Sequence, residues 1–170
     1  MAGDRGQLGV PHRIRPLAVA GLILGVGLGG FFDGIVFHQL LQWHHMLSAH
    51  PDPAVANDLP LNTFWDGLFH AVTYLFTLAG VALVWSAWRR GDVPASGRTL
   101  FGSVLAGWGL FNVVEGLVDH QLLGIHHVWP AGPGSVLLWD LLYLAWGAVM
   151  LVVGTWLVRS DPGTDGRPGR

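Results

Sequence analysis

Four long apolar stretches constrain the fold of this chain more than any other feature. They cover approximately residues 17–45, 64–88, 100–125 and 136–158. At a rise of about 1.5 Å per residue, each stretch is long enough as a helix to cross a hydrocarbon core of about 30 Å. Only 12% of the chain is charged, whereas soluble domains carry about 25%. The sequence predicts an all-α integral membrane protein, a four-helix bundle built from two tandem helical hairpins.

The same pattern divides the chain into a membrane domain and two short tails. We assign residues 16–159 to the four-span domain, with hairpins at 16–89 and 100–159. Residues 1–15 and 160–170 are polar or rich in glycine and proline, so we expect tails there, the second one disordered.

The distribution of arginines predicts the orientation. The chain has no lysine, and its arginines lie before the first stretch, between the second and third, and after the fourth. Under the positive-inside rule both termini are cytoplasmic and the other two loops face outward. So few cations, spread in this way, exclude a nucleic-acid-binding basic domain, and the predicted surroundings are a lipid bilayer.

Two blocks with identical spacing lie near the outer ends of the first and third stretches. Each has an acid followed by glycine, then His-Gln-Leu-Leu, then His-His. Their ionisable residues are Asp33, His38, His44 and His45 in one block and Glu115, His120, His126 and His127 in the other. The second and fourth stretches each add a Trp-Asp pair, with Asp66 and Asp140, and His70 follows Asp66 by one helical turn. These features predict an internal repeat of two parallel hairpins.

Ionisable side chains inside a bilayer indicate a function because each costs about 2.5–3.5 kcal/mol to insert. Helical bundles bind metals through carboxylates and imidazoles that point inward from facing helices. The chain has no cysteine, so its donors suit copper, iron or zinc bound by nitrogen and oxygen. We predict a transition-metal site among Asp33, His38, His44, His45, Asp66, His70, Glu115, His120, His126, His127 and Asp140.

Helical geometry presents a difficulty for this site. At about 100° per residue, His38 and His45 lie on one stripe, whereas Asp33 and His44 lie on another, displaced by about 140°. The second block has the same two stripes. Either a bundle interior flanked by both stripes or a local π-bulge would bring the groups together.

Structural interpretations compete with the metal site. The paired histidines His44-His45 and His126-His127 also suit a membrane interface, where imidazole is inexpensive. Asp66 and Asp140 begin apolar helices, where a carboxylate complements the helix dipole. The two remaining acids, if protonated, would act only as hydrogen-bond donors.

Three functions fit these residues. The first is a membrane protein with a His/carboxylate metal site in its periplasm-facing half, serving metal handling or redox chemistry. The second is a b-type cytochrome in which His38 and His120 are the axial ligands of haem. The third is a proton- or ion-coupled carrier. Serine-nucleophile, phosphate-loop and dinucleotide motifs are absent from the sequence, so it does not decide whether the protein is an enzyme.

The paired blocks also resemble a known family. The segments GFFDGIVFHQLLQWHH and FNVVEGLVDHQLLGIHHVWP, with FWDGLFHAVTYLF and LLWDLLYLAWG, are similar to the predicted membrane proteins grouped as domain of unknown function 2243, over residues 13–159. The resemblance implies a four-span protein of the bacterial inner membrane, and an association with respiratory oxidase assembly that would favour copper. It implies no catalytic residues. A bundle of only four spans also suggests a homodimer.

Overall fold

The computed structural model describes residues 13–162, and there the chain is helical apart from its connections. The helices are α1 (Arg15–Leu40), α2 (Pro53–Ala56), α3 (Leu59–Trp88), α4 (Gly97–Leu123) and α5 (Val136–Arg159). Within that range, four helices are long and apolar enough to cross a membrane, all except α2. The prediction of an all-α membrane four-helix bundle is confirmed. The predicted tails lie mostly outside the described residues.

The four long helices are arranged with α1 and α4 in the centre. Helix α1 packs against α3 on one side and α4 on the other, and α4 packs against α5. In the most apolar 18-residue window of each span, 44% of α1 and α4 is buried, against 17% for α3 and α5. Glycine permits the close central contact: a Cβ at Gly25 would overlap the Val104 carbonyl, and one at Gly107 would overlap the Leu22 carbonyl.

Both central helices end in a π-helical segment that resolves the difficulty of the two stripes. Helix α1 is α-helical up to Phe32 and π-helical over Asp33–Leu40, and α4 is π-helical over Gly116–Leu123. A π-helix is hydrogen-bonded from residue i to i+5, so residues five apart are brought to nearly the same side. Asp33 and His38 are separated by this interval, as are Glu115 and His120.

The predicted continuation of the first helix to residue 45 is wrong, and the helical phase assumed for the paired histidines of both blocks does not apply. Helix α1 ends at Leu40 and α4 at Leu123. Gln42 and Gly124, which occupy corresponding positions in the two blocks, then adopt left-handed backbone conformations with φ of 51° and 59°. The chain therefore turns, and the following loops pass over the helix ends, joined by a hydrogen bond from the Ala49 N–H to the Ile125 carbonyl (2.8 Å).

Other residues cap the outer ends of α3 and α5. Asp58 accepts a hydrogen bond from the Leu61 N–H (3.0 Å), and Ser135 accepts one from the Leu138 N–H (3.2 Å). Asp66 and Asp140 lie further along their helices, so a capping role does not describe them. Both carboxylates are instead buried, each 1% exposed.

Candidate metal centre

Four buried imidazoles form a cluster where the ends of α1 and α4 meet the loops that follow them. His38 and His120 come from the π-helical segments, and His44 and His126 come from the loops. All four are at most 3% exposed. The centroids of the His38 and His44 rings are 4.4 Å apart, and His126 lies 4.9 Å from both His44 and His120. We call these four residues the histidine cluster.

The Nδ1 atom of each ring faces a partner outside the cluster. His38 Nδ1 lies 2.9 Å from Asp66 Oδ1, and His120 Nδ1 lies 3.5 Å from Asp140 Oδ1. The loop histidines bond across the two halves: His44 Nδ1–H donates to the Val128 carbonyl (2.8 Å), and His126 Nδ1–H to the Met46 carbonyl (3.3 Å). Metal-bound histidines are oriented in this way, with the second ring nitrogen held by a carboxylate or carbonyl.

The Nε2 atoms of the histidine cluster face two buried carboxylates. His38 Nε2 lies 3.1 Å from Asp33 Oδ2, and His120 Nε2 lies 3.1 Å from Glu115 Oε1. Neither pair has hydrogen-bonding geometry, and the Nε2 atoms of His38, His44 and His120 are buried without a hydrogen-bond partner. Burying polar atoms without a hydrogen-bond partner is costly. Two donors bound to one ion at about 2.1 Å would lie about 3–3.5 Å apart, and the observed spacing is compatible with that range.

These donors form two groups that share one residue. The ligand atoms of His38, His44 and His126 lie within 4.8 Å of one another, as do those of Glu115, His120 and His126. His126 Nε2 is 2.8 Å from Glu115 Oε1. Each group has enough donors for the three protein ligands common in open metal sites.

Burial determines the protonation state of the His44 ring. Burial, followed by the neighbouring His126 and His38 rings, lowers the pKa of His44 well below its usual value. The ring is therefore neutral at pH 7. A neutral imidazole is the form that binds metals.

Asp66 and Asp140 form a second layer behind the cluster. Asp66 also lies 2.7 Å from His45 Nδ1 and accepts the Met46 N–H (2.9 Å). Asp140 repeats the arrangement with His127 Nδ1 (2.8 Å) and the Val128 N–H (3.0 Å). Asp66 thus orients His38 by a hydrogen bond, whereas Asp140 lies near His120 without one, and each carboxylate fixes the loop that follows the cluster histidine of its own half.

The eleven sequence-predicted residues therefore separate into three sets. Six of them converge: Asp33, His38, His44, Glu115, His120 and His126. Asp66, Asp140, His45 and His127 lie around this core as supports. The structure does not bring His70 into the core, because its Nδ1–H donates to its own helix at the Asp66 carbonyl (2.7 Å) and its ring packs against Gly34.

Burial separates the paired histidines. His44 and His126 are 3% and 1% exposed, so an interfacial role does not describe them. The side chains of His45 and His127 are 26% and 28% exposed and lie nearer the surface. Adjacent residues in a turning loop point in different directions, and their sequence alone does not distinguish them.

Sequence reasoning missed Tyr143. Its hydroxyl donates to Asn112 Oδ1 (3.3 Å), and its ring lies 5.4 Å from that of His120. Tyr143 is 4% exposed and Asn112 is 1% exposed. The signal was present, because Tyr143 follows the Trp-Asp pair of the fourth span by less than one helical turn.

Comparison with known proteins assigns a family but no activity. No curated protein and no solved structure matches the chain. The family described as predicted membrane protein (DUF2243) matches residues 20–161, a range that includes all four spans and the whole histidine cluster. The chain belongs to this membrane-protein family.

Proposed function

We propose that this protein is a membrane metalloprotein whose histidine cluster, with Asp33 and Glu115, holds a resident transition-metal centre. The observation that carries the proposal is the set of buried Nε2 atoms that lack a hydrogen-bond partner, on His38, His44 and His120. The His38 and His44 rings are already oriented through hydrogen bonds of Nδ1. Every donor is at most 6% exposed. Such burial suits an ion that is retained rather than one that is passed rapidly to another protein.

The donor chemistry limits the choice of metal. Four imidazole nitrogens and two carboxylates, without thiolate, suit iron, zinc or cupric copper. Magnesium and calcium bind mainly oxygen and are poorly served by four imidazoles.

The centre is proposed to hold two ions. Each block contributes one buried carboxylate and two buried histidines, and five of these six donors, all except Asp33, fall into two groups that share His126. Paired metal sites in enzymes place their ions about 3.5–4 Å apart. Two groups with ligand atoms this close, joined through His126, are compatible with that separation.

The same geometry supports ions over haem. A haem coordinated by His38 and His120 would need an apolar space in the plane around its iron. Instead, carboxylate oxygens of Asp33 and Glu115 lie 3.1 Å from the two Nε2 atoms. A porphyrin would have to displace both acids.

A proton- or ion-coupled carrier is less well supported than a metal centre. Below the centre, the hydroxyl of Ser103 donates to the Thr99 carbonyl (2.5 Å), and that of Thr77 donates to the Thr73 carbonyl (2.9 Å). These side chains are bonded within their own helices and do not extend a polar path along the membrane.

The arginine distribution supports an orientation in which the centre lies toward the outer face of the inner membrane. Arg89, Arg98 and Arg159 lie at the ends of α3, α4 and α5 that are remote from the histidine cluster. This positioning follows the positive-inside rule.

Metal analysis of protein purified in mild detergent tests the proposal. We expect about two transition-metal ions per chain, and a large loss in a His38→Ala, His120→Ala double variant. The matched control is His50→Ala with His70→Ala, which removes two imidazoles outside the cluster. Metal-free wild-type protein, or unchanged metal in the cluster variant, would overturn the proposal, and a Soret band would favour haem.

A further inference from the structure

The two sides of the metal centre are closed to different extents. On the α1 and α5 side, five aromatic residues form an aromatic wall, defined as Phe32, Phe37, Trp108, Tyr143 and Trp146. Phe32 lies at its middle, with ring centroids 5.1 Å from Trp108, 5.7 Å from Trp146 and 5.8 Å from Phe37. This packing leaves little space beside the centre.

The opposite side, between α3 and α4, contains a cavity of about 340 Å³. Four of its lining residues occupy positions that correspond, in the repeat, to residues of the aromatic wall. Val26 corresponds to Trp108, Val114 to Phe32, Asp119 to Phe37 and Phe69 to Tyr143. Three large rings are thus replaced by two valines and an aspartate. The cavity exists because the two halves repeat the same backbone arrangement but carry different side chains. We call this cavity the lateral pocket.

The lateral pocket connects the membrane surface with the proposed metal ligands. Its lining includes Asp33, Glu115 and His126 at the inner end. It also includes Val114 and Val118, which are 51% and 38% exposed on the outer surface of α4. A molecule dissolved among the acyl chains would reach the centre here without crossing a polar surface.

The side chains of the lateral pocket define the chemistry of its ligand. Most of the walls are apolar, which disfavours a charged ligand. Phe69 and Phe111 lie with ring centroids 6.0 Å apart, so a flat aromatic ring can pack against them. The Asp119 carboxyl makes no side-chain hydrogen bond within residues 13–162, and its oxygens are free to accept one. These features together suit an uncharged arene that carries a hydroxyl group.

This inference rests on the proposed metal centre. We propose that the lateral pocket binds a membrane-dissolved phenol or quinol, with its ring packed against Phe69 and Phe111 and its hydroxyl directed to Asp119 and the centre. The volume of the pocket lies at the small end of the range for ligand sites, about 300–1,000 Å³. A single ring with a short part of an alkyl chain fits this size.

Photocrosslinking in lipid nanodiscs tests this inference. The probe is a phenol with a ten-carbon chain in the para position and a diazirine next to the ring, added to metal-loaded protein in phosphatidylcholine. We expect mass spectrometry to place the main crosslinks on pocket residues such as Phe111 and Val118. Excess 4-decylphenol should remove these crosslinks, whereas decylbenzene, which lacks the hydroxyl, should compete at least about tenfold less well.

Two variants sharpen the test. Val114→Phe introduces the ring that Phe32 supplies on the other side, and we expect it to reduce pocket crosslinking at least about tenfold. Val149→Phe makes the same substitution at a position that is 61% exposed on α5 and outside the pocket, so crosslinking should not change. Asp119→Asn preserves the shape and should weaken competition by 4-decylphenol several-fold.

The outcomes distinguish the lateral pocket from the metal centre. Crosslinks spread evenly over lipid-facing residues such as Leu117, or equal competition by decylbenzene, would overturn the ligand inference even if the protein contains metal. Metal-free protein that still shows specific pocket crosslinks would overturn the metal centre and leave the phenol site standing.

Discussion

The two halves of the molecule make corresponding contacts around the histidine cluster. They differ in the side chains that lie beside those contacts. Asp66 contacts His38, His45 and the Met46 N–H, and Asp140 makes the corresponding contacts with His120, His127 and the Val128 N–H. Beside these contacts, one half carries Phe32 where the other carries Val114. The comparison indicates that the repeated backbone brings the candidate donors together, whereas unmatched side chains fill the space on one side of the cluster and leave a cavity on the other.

The comparison also shows that the two halves do not share the donors equally. His126 belongs to both donor groups, whereas His44, its counterpart, belongs to one. In addition, His126 Nε2 contacts Glu115 (2.8 Å), while His44 Nε2 is buried without a partner. Substitutions at corresponding positions therefore test whether the centre is symmetric.

The largest difference is expected between His126→Ala and His44→Ala. We expect His126→Ala to lose most of both ions and His44→Ala to keep about one, because only His126 serves both groups. The effect of His126→Ala on affinity should exceed the roughly 10–100-fold typical of changes to second-layer partners. Elemental analysis after dialysis measures the retained metal, with helicity by circular dichroism as the folding control. Equal loss from both variants would contradict the unequal sharing.

A smaller difference is expected between Asp66→Asn and Asp140→Asn. Each change removes the negative charge and replaces one of the two acceptor oxygens with an NH2 donor, while the shape of the side chain is kept. His38 Nδ1 lies 2.9 Å from Asp66, whereas His120 Nδ1 lies 3.5 Å from Asp140. We therefore expect Asp66→Asn to weaken metal binding about 100-fold and Asp140→Asn about 10-fold.

Competition with a metal chelator measures both affinities in parallel. Asp52→Asn is the control, because Asp52 lies in an exposed loop and contacts none of the cluster. An affinity in either second-layer variant equal to that of the control would argue against a supporting role for that carboxylate.

Replacing Phe32 with its counterpart should open the closed side. Phe32→Val removes the central ring of the aromatic wall and leaves a cavity, which we expect to cost about 1–2 kcal/mol of stability. Metal content should be unchanged, since Phe32 contacts aromatic rings and is not a donor. Thermal unfolding in detergent measures the loss. Phe101→Val, at a position that is 63% exposed, is the control and should lower stability much less.

The smallest difference concerns the left-handed residues after the π-helical segments. Gly124→Ala should cost about 1 kcal/mol, because side chains disfavour a φ of 59°. Nothing lies within 4 Å of a Cβ at this position, so the cost is one of backbone conformation. Gln42→Gly relieves the same strain and should change stability by less than about 1 kcal/mol, since glycine loses more freedom on folding. Paired thermal unfolding curves measure both changes, and a loss for Gln42→Gly as large as that for Gly124→Ala would contradict the prediction.

Much of the fold was predictable because membrane insertion imposes strong rules on sequence. Four stretches of sufficient length, nearly free of charge, leave helices as the only economical way to pair the backbone within lipid. The identity of most candidate ligands was predictable for the same reason, since ionisable groups in such stretches are rare and expensive. Their repetition in two blocks identified the positions that correspond.

The relative positions of the candidate ligands were harder to predict. An ideal α-helix places Asp33 and His38 on different faces, and only the π-helical segment brings them to 3.1 Å. His70 shared a helix face with Asp66 in the sequence, yet its ring bonds to its own helix. Tyr143 reaches the cluster because α5 packs beside α4, which no local pattern specifies.

The sequence by itself determined the number of spans, the helical class and the residue types available for a centre, because hydropathy and the cost of buried charge act locally along the chain. Tertiary structure decided which imidazoles meet, which nitrogen each ring directs inward and which side remains open. Those properties depend on hydrogen bonds between the two halves, such as that from His44 to the Val128 carbonyl, and on the order in which the helices pack.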